Sequence, residues 1–289
     1  MKPTDLDDLV THRFAELAGL RMHYVEAGAG PTVVLLHGFP EMWWSWRHQI
    51  RPLAEAGFRV VVPDQRGYND TDKHGPYDLD TLAGDICRLI DSLGAGPKAR
   101  IVGHDWGGGI AWHVAATRPE HCERVAVLNC PHPVMLRSRI LKPSQLKRSW
   151  YILLFQIPGL AELLLTRDDA SAIPRVLKAD SLHRENFSDE ELRPFRDAIQ
   201  RPGAAKAMIG WYRAMPKEML ARRSFPNIDA EALLLWGMGD KALGFGDLVP
   251  GTEKLVPKLK IVQVPGSGHF VQSEQPAVVN RALIDFLSA

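Results

Sequence analysis

A short apolar run at residues 101–102 leads into Gly103-His104-Asp105-Trp106-Gly107, and a segment of helical composition follows at 110–116. Gly-x-Asp-x-Gly between a strand and a helix is the pattern of a nucleophile elbow, a turn so tight that glycines must flank the exposed residue. Serine is the usual occupant of that position, and here it is Asp105. A carboxylate is already an anion at neutral pH and suits displacement at a saturated carbon, which leaves an ester that water must hydrolyse. An ordinary tight turn with a helix-capping aspartate is the alternative that this stretch alone leaves open.

The order of the predicted elements indicates an α/β fold. Continuous apolar runs are typical of strands buried on both faces, and segments with helical spacing separate them. The predicted strands are 11–16, 20–27, 32–36, 58–62, 100–103, 124–128, 232–236 and 260–264, and the predicted helices are 43–56, 79–93, 110–116 and 276–287. The first two strands form a predicted hairpin that turns at Gly19. The alternation predicts a mostly parallel, doubly wound sheet that helices cover on both sides.

The alternation stops over residues 134–227, where the sequence predicts helices alone. An all-helical block between strands of a parallel sheet predicts a cap domain over the carboxyl ends of the strands, where open α/β sheets bind ligands. The predicted division is a core of 1–133 and 228–289 with a cap of 134–227. A group of basic residues at the start of the cap is expected to form a solvated face; its members are Arg137, Arg139, Lys142, Lys147 and Arg148.

Composition narrows the class of protein. Lys and Arg number 35 and Asp and Glu number 34, so no net field attracts nucleic acid or an anionic membrane. Three cysteines fit neither a disulfide framework nor the spacing of a zinc site, and reduced cysteines are typical of the cytoplasm. Residues 1–8 lack the apolar core of a signal peptide, and no run reaches the roughly 18 apolar residues of a membrane span. These features predict a cytoplasmic protein with no metal, nucleic-acid or membrane partner.

Two later residues complete a possible catalytic triad. If Asp105 is a nucleophile, chain order predicts an acid and then a histidine at the ends of later strands. Asp240 follows the predicted strand 232–236, and His269 follows 260–264. His269 is expected to activate the water that cleaves the ester, with Asp240 orienting its ring. An isolated loop aspartate and one of eleven histidines carry little information, but their order and placement together favour a triad.

Hydrolysis of an ester develops an oxyanion, which needs preorganised donors. The predicted donors are the backbone amides of Trp106 and of Phe39, which lies in the loop after the third strand. The tight turn in that loop predicts a cis peptide bond between Phe39 and Pro40. His104 precedes the nucleophile and is expected to support the same loop.

At these motifs the sequence resembles the α/β-hydrolase-fold epoxide hydrolases of the soluble, cap-domain type. The similarity lies in residues 37–41 with 43–49, in the elbow at 103–108, and in residues 64–68. Asn69 stands where the family usually has glycine, and asparagine tolerates a positive φ. The resemblance covers nearly the whole chain.

The resemblance implies an enzyme that adds water to an epoxide and gives a vicinal diol through a covalent aspartyl ester, with no cofactor. The ring oxygen needs a proton donor, and the family uses two cap tyrosines. Tyr151 lies in a segment that resembles the family's Y-x-x-x-F-Q-x-P-G, and Tyr212 resembles the second tyrosine. Packing at the seam between cap and core is the alternative role for both rings. A small-molecule epoxide and water are the implied partners, and the oligomeric state, monomer or homodimer, stays open.

Two other classes remain as alternatives. Dehalogenases share Asp105, Trp106 and His269, but haloalkane dehalogenases typically place a halide-binding asparagine where Phe39 stands. Haloacid dehalogenases carry arginines just after the nucleophile, where this chain has Trp106 and Gly109. A non-catalytic ligand-binding module on the same fold is the second alternative, because a fold does not establish an activity.

Overall fold

The computed structural model describes residues 4–94, 96–221 and 225–289. Residues 1–3 of the start and 222–224 near the predicted end of the cap lie outside the described residues. An eight-stranded sheet forms the centre, with the order β1-β2-β4-β3-β5-β6-β7-β8. The strands are β1 Thr11–Glu16, β2 Arg21–Ala27, β3 Thr32–Leu36, β4 Arg59–Pro63, β5 Ala99–His104, β6 Cys122–Leu128, β7 Glu231–Gly237 and β8 Leu259–Val264. β1 and β2 form the predicted hairpin, β2 pairs antiparallel with β4, and all other neighbours are parallel.

Helices flank the sheet and fill the predicted cap. In the described residues they are α1 Thr4–Asp7, α2 Arg47–Glu55, α3 Leu79–Ser92, α4 Trp106–Thr117, α5 Pro133–Arg139, α6 Pro143–Arg148, α7 Trp150–Phe155, α8 Leu160–Ala170, α9 Ala172–Ala179, α10 Asp189–Gln200, α11 Ala204–Leu220, α12 Phe245–Leu248, α13 Val271–Glu274 and α14 Pro276–Ser288. The helix predicted at 43–56 begins as a 3₁₀ turn, Trp43–Trp46, and continues as α2. Every predicted strand is present within two residues of its expected bounds, so the predicted fold class is confirmed.

The direction of the crossovers explains why the central strands are mainly apolar. The connection from β3 through α2 to β4 runs one way across the sheet, and the connection from β4 through α3 to β5 runs back. Because such crossovers are right-handed, α2 and α3 lie on opposite faces. All five side chains of β3 are buried as a result.

The reversal of strand order places the site. β3 and β5 are neighbours although β4 lies between them in sequence, which is the topological switch point of an open α/β sheet. The parallel strands all end at one edge of the sheet. The loops at that edge carry Phe39, Asp105, Asn129, Asp240 and His269.

Helices α5 to α11 separate β6 from β7, and none of the described residues between these strands forms a strand. The expected solvated face at the start of this cap is only partly correct. Arg139 donates to the Asp247 carbonyl at 3.0 Å, and Arg148 donates to the carbonyls of Asp240 and Lys241 at 3.1 Å each. Basic side chains therefore join the cap to the loop after β7. Among the described residues, no helix has the length and apolarity needed to cross a bilayer.

Candidate active site

Asp105 occupies the predicted elbow between β5 and α4. Its backbone has φ 50° and ψ −123°, a conformation that is costly for a residue with a side chain. A Cβ atom on Gly103 would lie 2.2 Å from the Gly107 carbonyl oxygen, and one on Gly107 would lie 2.3 Å from the Leu36 carbonyl oxygen. Only glycine permits this close approach, so the two glycines of the motif hold Asp105 at the tip of the turn.

The structure brings the three triad candidates together. His269 Nδ1 lies 2.8 Å from Asp240 Oδ2, a hydrogen bond between buried groups. On the other side of the ring, Nε2 lies 3.6 Å from Asp105 Oδ2. The ring therefore stands between two carboxylates, one bonded to it and one just beyond hydrogen-bond distance.

The Asp240 carboxylate accepts four hydrogen bonds. Its Oδ1 accepts from the amides of Ala242 and Leu243, each at 2.8 Å. Its Oδ2 accepts from Asn129 Nδ2 at 2.7 Å as well as from His269. Asn129 in turn accepts from the Gly237 amide at 3.0 Å. Sequence reasoning missed this role of Asn129, although an amide side chain at the end of the strand beside β7 is a signal that could have indicated it.

The two carboxylates set the charge of the ring. Burial by itself lowers the pKa of His269, but the charge of Asp240, its hydrogen bond and the nearby Asp105 outweigh burial and raise that pKa well above its ordinary value. Burial by itself raises the pKa of Asp105, and His269, His104 and the Phe39 amide reverse the effect and lower it. The arrangement thus favours an anionic Asp105 beside a protonated His269.

The loop after β3 contacts the carboxylate directly. The Phe39 amide donates to Asp105 Oδ1 at 3.0 Å, and the bond between Phe39 and Pro40 is cis, as predicted. A Cβ atom on Gly38 would lie 2.5 Å from Asp105 Cβ, so that glycine makes room for the carboxylate. Trp106 is the first residue of α4, where an amide has no acceptor within the helix. Both predicted oxyanion donors therefore belong to the elements that meet at Asp105.

A buried network lies behind this loop. His104 Nδ1 is 2.8 Å from Glu41 Oε2, and its Nε2 is 2.9 Å from the His269 carbonyl oxygen. Glu41 Oε2 also accepts from the Gly38 amide at 3.0 Å. Burial acts to raise the pKa of Glu41, and His104 and the other donors overcome it and lower that pKa. His104 therefore supports the loop, as expected, through Glu41, whose part in this network sequence reasoning missed.

Two tyrosines of the cap face the elbow. Tyr151 is in α7 and Tyr212 is in α11, with ring centroids 6.0 Å apart, and the ring of Tyr212 lies 5.1 Å from that of Trp106. Burial, followed by nearby negative charge, raises the pKa of Tyr151 above its ordinary value, although a hydrogen bond with Tyr212 lowers it somewhat. Burial likewise raises the pKa of Tyr212 well above its ordinary value, with a smaller opposing effect from Trp106. Both phenols thus keep their protons at neutral pH.

The segment that follows Tyr151 fixes the two tyrosine helices together. Gln156 Nε2 donates to the Tyr212 carbonyl oxygen at 3.0 Å. Arg213 donates to the Phe155 carbonyl oxygen at 3.0 Å and pairs with Glu162 at 2.6 Å. These bonds join the end of α7 to α11, the two helices that carry the tyrosines.

The cap is also bonded to the histidine loop. The His269 amide donates to the Asp180 carbonyl oxygen at 3.0 Å. Glu274 accepts from the Leu182 amide at 2.6 Å through Oε2 and from the Gly268 amide at 3.0 Å through Oε1. The position of His269 thus depends on cap residues as well as on the core.

Comparison with known proteins identifies the family of the chain. A model of the alpha/beta hydrolase fold matches residues 31–276. The chain is 39% identical over 287 residues to the AB hydrolase superfamily protein YfhM of Bacillus subtilis, covering 97% of this chain and 99% of that one. It is 34% identical over 288 residues to epoxide hydrolase 1 of Caenorhabditis elegans, covering 96% and 70%. The crystal structure of epoxide hydrolase A from Mycobacterium thermoresistibile has a TM-score of 0.85 at 33% identity, covering 97% and 98%. The chain belongs to the α/β-hydrolase-fold epoxide hydrolases.

In this member of the epoxide hydrolase family a cavity of about 160 Å³ lies between cap and core. Asp105, Trp106, Tyr151 and Tyr212 line it together with mainly apolar side chains. The nucleophile candidate and both tyrosines therefore share one space.

A second cluster of ligand-type side chains lies elsewhere in the described chain. His23, Asp64 and Asp70 come together near the end of β4. Asp64 accepts from His23 at 2.6 Å and from Asn69 at 2.7 Å, and Asp70 pairs with Arg201 at 2.6 Å. Asn69 has φ 41°, as its place in a glycine position led us to expect. The carboxylates already have protein partners, so this cluster fastens the loop after β4 to β2.

Proposed function

We propose that the chain converts an epoxide and water into a vicinal diol through a covalent ester on Asp105. The observation that supports this most is the state of the Asp105 carboxylate. Oδ1 is held by the Phe39 amide, whereas Oδ2 faces His269 at 3.6 Å and shares the cavity with both tyrosines. Oδ2 is therefore the oxygen proposed to attack.

In the first step Oδ2 displaces the ring oxygen from an epoxide carbon, so a carbon–oxygen bond forms as the ring bond breaks. The ring oxygen takes a proton from Tyr151 or Tyr212. Because burial keeps the pKa of each phenol high, the proton stays on the tyrosine until negative charge develops on the ring oxygen. The product of this step is a hydroxyalkyl ester of Asp105.

Ester formation prepares the base for the second step. An esterified Asp105 carries no charge, so one of the effects that raise the pKa of His269 disappears. His269 then releases its proton, which restores the tyrosine, and the neutral ring can accept a proton from water. Asp240 remains bonded to Nδ1 and stabilises the imidazolium that forms.

Water activated by His269 attacks the ester carbonyl carbon. Oδ1 becomes the oxyanion and is stabilised by the amides of Phe39 and Trp106. The intermediate releases the diol, which takes its proton from the imidazolium. The carboxylic acid formed at Asp105 returns its proton to His269, so protons balance over the cycle.

The proposed roles divide between two domains, a core of 1–133 and 228–289 and a cap of 134–227. This division is supported by the end of β6 at Leu128, the start of β7 at Glu231 and the helices between them. We place the protein in the cytoplasm, which is supported by three free, buried cysteines, Cys87, Cys122 and Cys130.

The test is the intact mass of the His269→Gln variant after exposure to a small aryl epoxide and, separately, to an alkyl halide. This variant should form the ester without releasing it. The expected result is a gain equal to the full epoxide mass, mapped to Asp105. His74→Gln changes an exposed histidine that does not line the cavity; it is the matched control and should accumulate no adduct. An adduct from the halide alone, with halogen lost, would indicate a dehalogenase, and no adduct in folded protein would indicate a binding module.

A further inference from the structure

Most of the residues that line the cavity come from the cap, from α4 and from the loops on the β6 side of Asp105. β5, which ends at the elbow, lies between β3 and β6 in the sheet. Cavity residues follow β6 and β7, such as Cys130 and Leu243, and others come from the cap. Tyr77 and Leu79, which follow β4, line the cavity near His113, since His113 bonds to Asp80 at the start of α3. None of the lining residues in the described chain comes from the loop after β3. A bound substrate therefore has free space toward β6.

This space follows α4. Trp106, Gly109 and His113 line it and are three and four residues apart, so they lie on one face of the helix. Seven residues of α-helix span about 10 Å. The cavity thus continues for about two helical turns beyond the elbow, next to apolar side chains such as Val134 and Ile140.

On the β3 side of Asp105, three aromatic rings pack together. The ring centroid of Phe39 lies 5.5 Å from that of Phe155 and 5.1 Å from that of Tyr212, and the last two are 4.9 Å apart. Phe39 and Phe155 are buried. A second large substituent on the epoxide would collide with these rings.

Gly109 is a glycine that packing does not require. α4 contains three successive glycines. A Cβ atom on Gly107 would lie 2.3 Å from the Leu36 carbonyl oxygen, and one on Gly108 would lie 2.7 Å from Cys130 Cβ. A Cβ atom on Gly109 would meet nothing closer than Cys130 Sγ, at 3.9 Å. Glycine inside a helix lowers its stability relative to alanine, so this residue has a cost without a packing reason. What it does provide is open space beside Asp105.

We propose that the substrate is a terminal epoxide with one extended apolar substituent, and that Gly109 determines the space for that substituent. This inference rests on the proposed function and adds the substrate class. The ring carbons bind at Asp105, and the substituent extends along α4 toward His113. Trans-disubstituted epoxides are excluded by the rings of Phe39 and Phe155.

The first experiment compares two isomers, 1,2-epoxyoctane and trans-4,5-epoxyoctane, with the wild-type chain. We expect kcat/KM to favour the terminal isomer by at least about tenfold, because a misplaced apolar group of a few carbons changes rates by that order. Equal values for the two isomers would overturn the inference and leave the proposed function intact. Hydrolysis of neither isomer nor of 1,2-epoxybutane would refute the proposed function, and the inference with it.

The second experiment fills the space at Gly109. In Gly109→Leu, the ratio of kcat/KM for 1,2-epoxyoctane to that for 1,2-epoxybutane should fall by about 100-fold. An unchanged ratio in folded protein would overturn the role of Gly109. Val134→Phe narrows the same cavity from the cap, should lower the same ratio, and keeps the test available if the leucine variant does not fold.

A measurement of thermal stability tests whether close packing requires glycine at position 109. Gly109→Ala should raise Tm by about 2 °C, because alanine favours the helix and its Cβ meets no close neighbour. Gly108→Ala is the matched control and should lower Tm, because its Cβ would lie 2.7 Å from Cys130 Cβ. A fall in Tm for Gly109→Ala would show that packing requires this glycine and would overturn the proposal.

Discussion

Replacing Asp240 with asparagine removes the charge that faces His269 and keeps the shape of the side chain. Asp240 Oδ2 lies 2.8 Å from His269 Nδ1 and 2.7 Å from Asn129 Nδ2, so both neighbours donate to it. In either orientation the new amide nitrogen must face donors, which are His269 and Asn129 at one position and the amides of Ala242 and Leu243 at the other. For two unit charges about 4 Å apart, an effective dielectric constant of 20 gives about 4 kcal/mol. Since about 1.4 kcal/mol is a factor of ten in rate, ester hydrolysis should slow on the order of 10³-fold.

Ring opening should slow much less, because in the proposed mechanism it does not require His269 to accept a proton. The ester on Asp105 should therefore accumulate. Rapid quenching followed by intact-mass measurement gives the rate constants for formation and loss of the adduct separately. Asp229→Asn changes an exposed aspartate and is the matched control, which should behave as the wild type does.

Two results would refute this reasoning. Hydrolysis of the ester within about tenfold of the wild-type rate would show that the charge of Asp240 does not assist His269. A large fall in kcat without accumulated adduct would place the effect in ring opening instead. Near-UV circular dichroism establishes that the variant is folded before either result is interpreted.

Three other predictions address the two cap tyrosines, the charge of His269 and the buried contact between Glu41 and His104. Tyr151→Phe and Tyr212→Phe should each slow ring opening by about 10- to 100-fold in single-turnover experiments, whereas Tyr77→Phe, whose hydroxyl bonds to a backbone carbonyl, should not. Folding raises the pKa of His269, so the protonated ring stabilises the folded state. This stabilisation is fully present below pH about 6.5 and is lost as pH rises through the folded-state pKa of His269. Urea titrations should show the loss in the wild type and not in His269→Gln. Glu41→Gln replaces the carboxylate that accepts from His104 in a buried site and should lower the free energy of unfolding by about 3 kcal/mol in urea titrations. An unchanged midpoint would contradict a stabilising role for the Glu41 carboxylate.

The centre of the sheet could be predicted because its strands are buried on both faces and are therefore mainly apolar, as in β3 and β4. The same argument placed Asp105, Asp240 and His269, since the carboxyl ends of parallel strands meet at one edge. Residue order was enough for these side chains because the fold itself determines where strand ends lie.

The supporting bonds could not be predicted in this way. Asn129 bonds to Asp240 across 111 residues, and His104 bonds to Glu41 across 63. Such contacts depend on side-chain geometry, which periodicity does not describe. The basic residues at the start of the cap were predicted incompletely for the same reason. Arg148 has a charge typical of a solvated face, but it bonds to the carbonyls of Asp240 and Lys241.

The bond from the His269 amide to the Asp180 carbonyl has a consequence for protein engineering. A cap exchanged with that of a relative would replace residues that line the cavity, such as Tyr151 and Tyr212. A foreign cap whose backbone lies elsewhere at these positions would also remove an acceptor from the His269 amide and two donors from Glu274, those of Leu182 and His183. A chimera that keeps residues 180–183 together with 268–274 should retain its hydrolysis rate, whereas one that divides these segments should lose it even for a substrate that fits.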